Sequence, residues 1–141
     1  MGRSPGGGRM PLNPAIAGKK YPPVEFLLDA ERVRAFTRAV GHPTDDVPPT
    51  IVTVPEIAAG LANVLADPEL GLDLARVLHG EQEYEWGHPF TIGERVVAEA
   101  TIEDIRSKAG LEILRLRTDL RDEAGRTVVV GRSTLIVRAS A

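Results

Sequence analysis

The sequence predicts an α+β fold in which a curved antiparallel sheet wraps one central apolar helix at about residues 53–66. Three observations predict it. The stretch Thr53-Val-Pro-Glu-Ile-Ala-Ala-Gly-Leu-Ala-Asn-Val-Leu-Ala66 is apolar and small on nearly every face, the mark of a helix buried all round. From Val77 onward the apolar period switches from helical to two, with tight turns between the runs. Helical patterns come first and strand patterns last, an order that suits segregated helices and an antiparallel sheet.

In chain order, residues 1–10, MGRSPGGGRM, are glycine-rich and read as a disordered tail, or as an upstream start ahead of a native Met10. Residues 11–141 are expected to form a single domain. Residues 11–23 hold five prolines or glycines and should run extended. Val24 to Leu28 is a short strand or extended entry. Asp29 then supplies an N-cap, and Leu28 with Val33 have the spacing of a hydrophobic staple. Val33, Phe36 and Val40 follow at helical spacing, and Gly41 ends an amphipathic, half-buried helix. His42 to Pro49 is a proline- and aspartate-rich loop leading into the central helix.

For that helix, Thr53 as N-cap and Glu56 three residues on have capping-box spacing. Pro55 is expected in the first turn, where a missing N–H is harmless, and Asp67-Pro68 stops the helix. Asp67 to Arg76 reads as a turn and connector. In the first strand Leu78, Gly80, Gln82, Tyr84 and Trp86 share one face, opposite His79, Glu81, Glu83 and Glu85. The second carries Val96, Ala98, Ala100 and Ile102. After a hairpin turn at Ser107–Gly110 the third carries Leu114, Leu116, Thr118 and Leu120. A turn at Asp122–Gly125 leads to a fourth, Thr127 to Arg138, which is valine-rich and in part apolar on both faces.

Composition narrows the function. A net charge of −3 and a pI of about 5.6 do not suit a phosphate backbone as partner, so no nucleic-acid role is expected. The absence of cysteine excludes disulfides, thiolate zinc sites and cysteine nucleophiles. With no signal-peptide pattern, a cytoplasmic chain is expected. The apolar helix, at about 14 residues, is too short for a bilayer that needs about 20, so no membrane partner is expected. Three scattered histidines propose no metal, and no cofactor is expected.

Pro48-Pro-Thr50, Asp67-Pro-Glu-Leu-Gly-Leu72, Val77-Leu-His-Gly-Glu-Gln82 and Trp86-Gly-His-Pro-Phe-Thr-Ile-Gly-Glu94 occur in this order. Together they resemble the MaoC-like dehydratase family, and more narrowly its N-terminal-domain branch of small stand-alone actinobacterial subunits. Pro11-Leu-Asn-Pro-Ala-Ile-Ala-Gly18 is similar to the start of that branch. The resemblance covers about residues 10–138 and implies a hot-dog fold. It also implies chemistry on acyl thioesters, hydrating trans-2-enoyl chains or dehydrating (R)-3-hydroxyacyl ones. Such chemistry needs a base for the C2 proton, an acid or held water for the C3 oxygen, and donors for the thioester carbonyl, which amides at the start of the central helix can supply. In the catalytic branch, an aspartate and a histidine on a loop Gly-Asp-x-Asn-Pro-x-His provide the first two. The corresponding loop here is Gly41-His-Pro-Thr-Asp-Asp-Val47. His42 stands at the aspartate's place and Val47 at the histidine's, so the resemblance implies a subunit that lacks the catalytic pair and teams with a catalytic sister chain.

Each candidate residue is weighed against a structural role. His42 is a substitute base, or simply a favourable histidine at a helix C-terminus. Asp45 is a general acid, or ordinary turn chemistry beside Asp46. Glu56 activates water, or closes the capping box. Asn63, the polar residue in an apolar helix, touches the thioester or satisfies a backbone group. His79 and Gln82 fall on opposite strand faces, which makes Gln82 the inward one. Tyr84 and Trp86 are channel walls, or core and interface. Pro49 and Thr50, at the helix entry, complete the substrate-binding candidates. Two functions follow. The first is a non-catalytic, acyl-thioester-binding partner subunit in a heterodimeric hydratase or dehydratase, its ligand carried on coenzyme A or on an acyl carrier protein. The second is a self-sufficient homodimeric dehydratase or thioesterase using His42, Asp45, Glu56 or His79.

Overall fold

The computed structural model describes residues 12–138; the expected tail over 1–10 lies outside them. Five strands form one antiparallel sheet in the order β1-β3-β4-β5-β2. They are β1 (Val24–Leu27), β2 (Val77–Trp86), β3 (Arg95–Lys108), β4 (Leu111–Arg121) and β5 (Thr127–Arg138). All four strand patterns read from the sequence are present, and the short entry strand joins them by pairing Phe26 with Val96. The inward positions Val96, Ala98, Ala100 and Ile102 of β3 and Leu114, Leu116, Thr118 and Leu120 of β4 are all buried, as period two requires. On β5, Val128, Val129 and Val130 are buried in succession, so that strand is covered on both faces.

Helix α1 (Ala30–Val40) starts where Asp29 accepts a hydrogen bond from the Arg32 amide at 2.8 Å and ends at Gly41 in the left-handed region. Leu28 and Val33 are both buried in one cluster with Phe26 and Phe90, which joins the staple to the core. The Ser107–Gly110 and Asp122–Gly125 turns form as expected. In the second, Asp122 Oδ1 accepts from the amides of Ala124 and Arg126.

The central helix departs from expectation at its start. A 3₁₀ turn over Pro49–Val52 runs without a break into Thr53–Glu56, then a π-helical turn over Ile57–Leu61, then Ala62–Leu65. Thr53 is therefore an interior residue, and its hydroxyl donates to the Thr50 carbonyl at 2.8 Å. No capping box exists, because the 3₁₀ turn already supplies the carbonyls that a cap would replace. Pro55 accordingly sits in the second turn, and the ladder re-spaces to π hydrogen bonds just beyond it.

Nor is the helix covered all round. Ala59 and Gly60 lie against the sheet, where a Cβ on Gly60 would stand 3.4 Å from Thr118 Oγ1 and 3.7 Å from Ala100 Cβ. The opposite side leaves Ile57 51% and Val54 40% exposed. A single five-stranded sheet curves round only part of a helix.

β2 also breaks its alternation. Its register against β5 shifts between His79 and Glu81, a bulge at Gly80 that turns one residue out of phase. A Cβ at Gly80 would stand 2.8 Å from Ile136 Cδ1, so that side chain would have to shift to admit one. Val77 and His79 before the bulge and Gln82 and Tyr84 after it face the same side, while Leu78 points outward and is 58% exposed.

Candidate functional site

A cavity of about 370 Å³ lies between the central helix and the inner face of the sheet. Its apolar wall includes Ile57, Leu61, Leu74, Leu116 and Leu135, and its polar wall includes Glu56, His79, Gln82, Tyr84, Thr118 and Ser133. The bulge assembles that polar wall. Reading His79 and Gln82 on opposite faces missed it, because uniform alternation cannot register one extra residue.

The polar groups form one chain of hydrogen bonds. Glu56, 8% exposed, accepts from the Tyr84 hydroxyl at 2.7 Å and from Gln82 Nε2 at 3.0 Å. Gln82 Oε1 accepts from the Ser133 hydroxyl at 2.6 Å and lies 3.0 Å from His79 Nε2. Burial pushes the Glu56 carboxyl above the ordinary glutamate range, and the bonds from Tyr84 and Gln82 with the charge of His79 pull it partly back. Burial and the neighbouring Glu56 carboxylate together push the Tyr84 hydroxyl up. A raised carboxyl stabilises the fold below its unfolded value and loses that contribution as pH rises through the folded one. Tyr84→Phe removes a donor to the charged form, so the Glu56 side-chain carbon should titrate at higher pH by ¹³C NMR. An unchanged or lower titration would mean that Tyr84 does not hold the carboxylate.

The other candidates scatter. Pro49 and Trp86 line a second, more open cavity with Asp46, Val47 and residues 87–90, and Trp86 stands edge-on to Phe90 at 5.2 Å. Thr50 is exposed at the helix entry. Asn63 turns back on its own helix, donating to the Ala59 carbonyl at 2.8 Å. His42 and Asp45 line neither cavity. The loop closes on itself instead: His42 Nε2 lies 3.0 Å from Asp46 Oδ1, and the Thr44 hydroxyl joins both. Bonds from Thr44 and then His42 hold the Asp46 carboxyl below its usual range.

The sequence reading missed Ser133, Thr118 and Gly131. A lone glycine inside the valine-rich β5 was the available signal, since it marks a close approach. Among the described residues, His88, Glu94 and Asp122 form a group of metal-ligand type. Asp122 is already engaged by Arg126 and two turn amides, and Glu94 by the Thr91 amide, so the group ties two turns together. Arg106 and Arg117 are paired with Asp104 and Asp119.

A helix held against one curved antiparallel sheet, with a cavity between them, defines a hot-dog domain. The family model described as "FAS1-like, dehydratase domain region" matches residues 15–130. A UPF0336 protein of Streptomyces coelicolor is 37% identical, the match covering 93% of this chain and 98% of the relative. A UPF0336 protein of Saccharopolyspora erythraea is 31% identical over 94% and 95%. The chain belongs to this family of small FAS1-like dehydratase-region proteins.

Solved structures share the fold. The truncated HadBC (3R-hydroxyacyl-ACP dehydratase) complex from Mycobacterium tuberculosis superposes with a TM-score of 0.70 at 21% identity, covering 86% of this chain and 96% of that one. A MaoC-like dehydratase gives 0.76 at 22%, covering 89% of this chain and 43% of that one. The (R)-hydratase of A. caviae gives 0.60 at 18%, covering 88% and 96%. No helix among the described residues is long and apolar enough to cross a membrane.

Proposed function

We propose that this chain is a non-catalytic, acyl-thioester-binding partner subunit of an (R)-specific enoyl-thioester hydratase or 3-hydroxyacyl-thioester dehydratase, with a catalytic MaoC-like sister chain. The observation that carries the reading is the separation of cavity and loop. The 370 Å³ cavity has a mainly apolar lining suited to an acyl chain, at about 0.8 kcal/mol per buried methylene. The loop at the family's catalytic position lies outside it, with His42, Thr44 and Asp46 bonded to one another. The HadBC structure is, by its name, a complex of a 3R-hydroxyacyl-ACP dehydratase, which supports a two-chain assembly.

A second reading rests on Glu56 and His79 meeting across Gln82 inside the cavity. It makes the chain a self-sufficient homodimeric dehydratase or thioesterase with a rebuilt site. Hydration of crotonyl-coenzyme A, followed as loss of the enoyl-thioester absorbance, separates the two. The purified chain alone should be silent, and turnover should appear on mixing with a subunit that carries the Gly-Asp-x-Asn-Pro-x-His loop. Turnover by the chain alone, abolished by Glu56→Gln or His79→Ala, would overturn the partner-subunit reading.

A further inference from the structure

We propose that the β2 edge selects its partner by charge: it rejects a second copy of this chain and accepts a hot-dog chain whose edge strand carries lysine or arginine on its outward face. The inference rests on the partner-subunit reading and names the chemistry of that partner.

The sheet has two edges. One is the four-residue β1, preceded by Pro22-Pro23, which offer no amide donors. The other is β2, ten residues long and, among the described residues, paired only to β5. A long free edge is a template for another strand. Beside it, Ile57 and Leu74 line the cavity and are 51% and 58% exposed. A strand added at β2 therefore comes down beside the cavity's exposed apolar wall. Assembly and acyl binding meet at this edge.

The outward face of the same strand carries Glu81, Glu83 and Glu85, all exposed. Across the ladder to β5 they oppose Thr134, Arg132 and Val130, and Arg132 lies 3.5 Å from Glu85 and 3.7 Å from Glu103. Arg132 and, one strand further in, Arg117 act on Glu85 and Glu103, while β2 itself carries three glutamates and no lysine or arginine. In a two-fold antiparallel pair of β2 strands, opposed residue numbers sum to a constant. The inner faces match only when odd opposes odd over this stretch. Every centre from residue 81 to residue 85 then sets at least one glutamate directly against another, and a centre at 83 sets 81 against 85, 83 against 83 and 85 against 81. Like charges directly opposed destabilise a sheet pair, whereas opposite charges stabilise it. The acids leave the inner, cavity-facing side of the strand untouched, so they set partner choice without altering the site.

The test uses this chain as its own probe. Glu81→Lys/Glu83→Lys/Glu85→Lys protein, checked for folding by circular dichroism, makes a wholly basic edge, and Arg132 keeps Glu103. By sedimentation velocity at low salt, wild type alone and the triple-lysine variant alone should remain monomeric at concentrations where their equimolar mixture dimerises. In 1 M salt the difference should disappear, since screening then acts over about 3 Å. Glu81→Gln/Glu83→Gln, checked for folding by circular dichroism, should self-associate about tenfold more tightly than wild type, the effect of removing two or three opposed like charges. Wild type dimerising as tightly as the mixture, a mixture that stays monomeric, or a glutamine variant no tighter than wild type would each overturn the proposal. These readouts are independent of turnover. If the chain alone hydrates crotonyl-coenzyme A, the partner-subunit reading fails while the edge result stands by itself.

Discussion

Replacing Gly131 with alanine should lower stability by about 3 kcal/mol in urea unfolding, at the upper end of ordinary overpacking. A Cβ at this position would stand 2.1 Å from Glu56 Oε2 and 3.2 Å from Tyr84 Cε1. The Glu56 carboxyl cannot retreat without leaving the Tyr84 hydroxyl and the Gln82 amide, so the clash also strips two half-buried donors of their acceptor, a further cost per group. A second substitution isolates the cause. Glu56→Ala empties the space, and the double variant should be more stable than the sum of the single effects by more than about 1 kcal/mol, the coupling expected of touching residues. Additive effects would mean that Gly131 serves the strand and not the site.

Asp67→Ala should cost about 3 kcal/mol, from loss of an acceptor shared by buried donors. Asp67 is 9% exposed at the end of the central helix and accepts from the Tyr21 hydroxyl at 2.7 Å, Lys19 Nζ at 2.8 Å and the Glu69 amide at 2.9 Å. These bonds fasten the N-terminal segment across the helix end, where Tyr21 packs with Leu12, Val64 and Leu70. Lys19 is a third exposed and adds little in water. Burial alone would raise the Asp67 carboxyl, but the bonds from Lys19, Tyr21 and the Glu69 amide outweigh it and hold it below the usual range. Its contribution is thus complete above the unfolded aspartate value of about 3.9 and is lost as pH falls through the folded value. Asp67→Asn should flatten that acid limb of the stability profile, measured by urea unfolding between pH 3 and 7. An unchanged limb would assign the acid sensitivity to other carboxylates.

The polar wall of the cavity reverses that sign, because Glu56 is raised where Asp67 is lowered. Both are buried acids, Glu56 inside the central helix and Asp67 just past its end. The difference lies in their donors. Asp67 has an ammonium and a backbone amide, whereas Glu56 has only neutral side chains within hydrogen-bond reach.

The sheet, its turns and helix α1 were legible in the sequence because each rests on local chemistry. Period two placed Val96 to Ile102 and Leu114 to Leu120 inward, Asp29 and Gly41 bounded the helix, and Asp122 with Gly125 made the last turn. The apolar small residues of 53–66 also identified the central helix. The family motifs, spread in order along the chain, pointed to the fold that the comparisons bear out.

Tertiary structure alone decided the rest. Glu56 had capping-box spacing, yet a 3₁₀ turn upstream took over the capping and freed the carboxyl for Tyr84 on β2 and Gln82 beside it, residues 28 and 26 positions away. His79 joined Gln82 through a bulge that no alternation rule records. Asn63 found its partner within its own helix. Local sequence specifies where backbone hydrogen bonds begin and end and which face is apolar. Which buried polar groups meet depends on strand register and on the space that Gly131 leaves, and these arise only when distant segments pack.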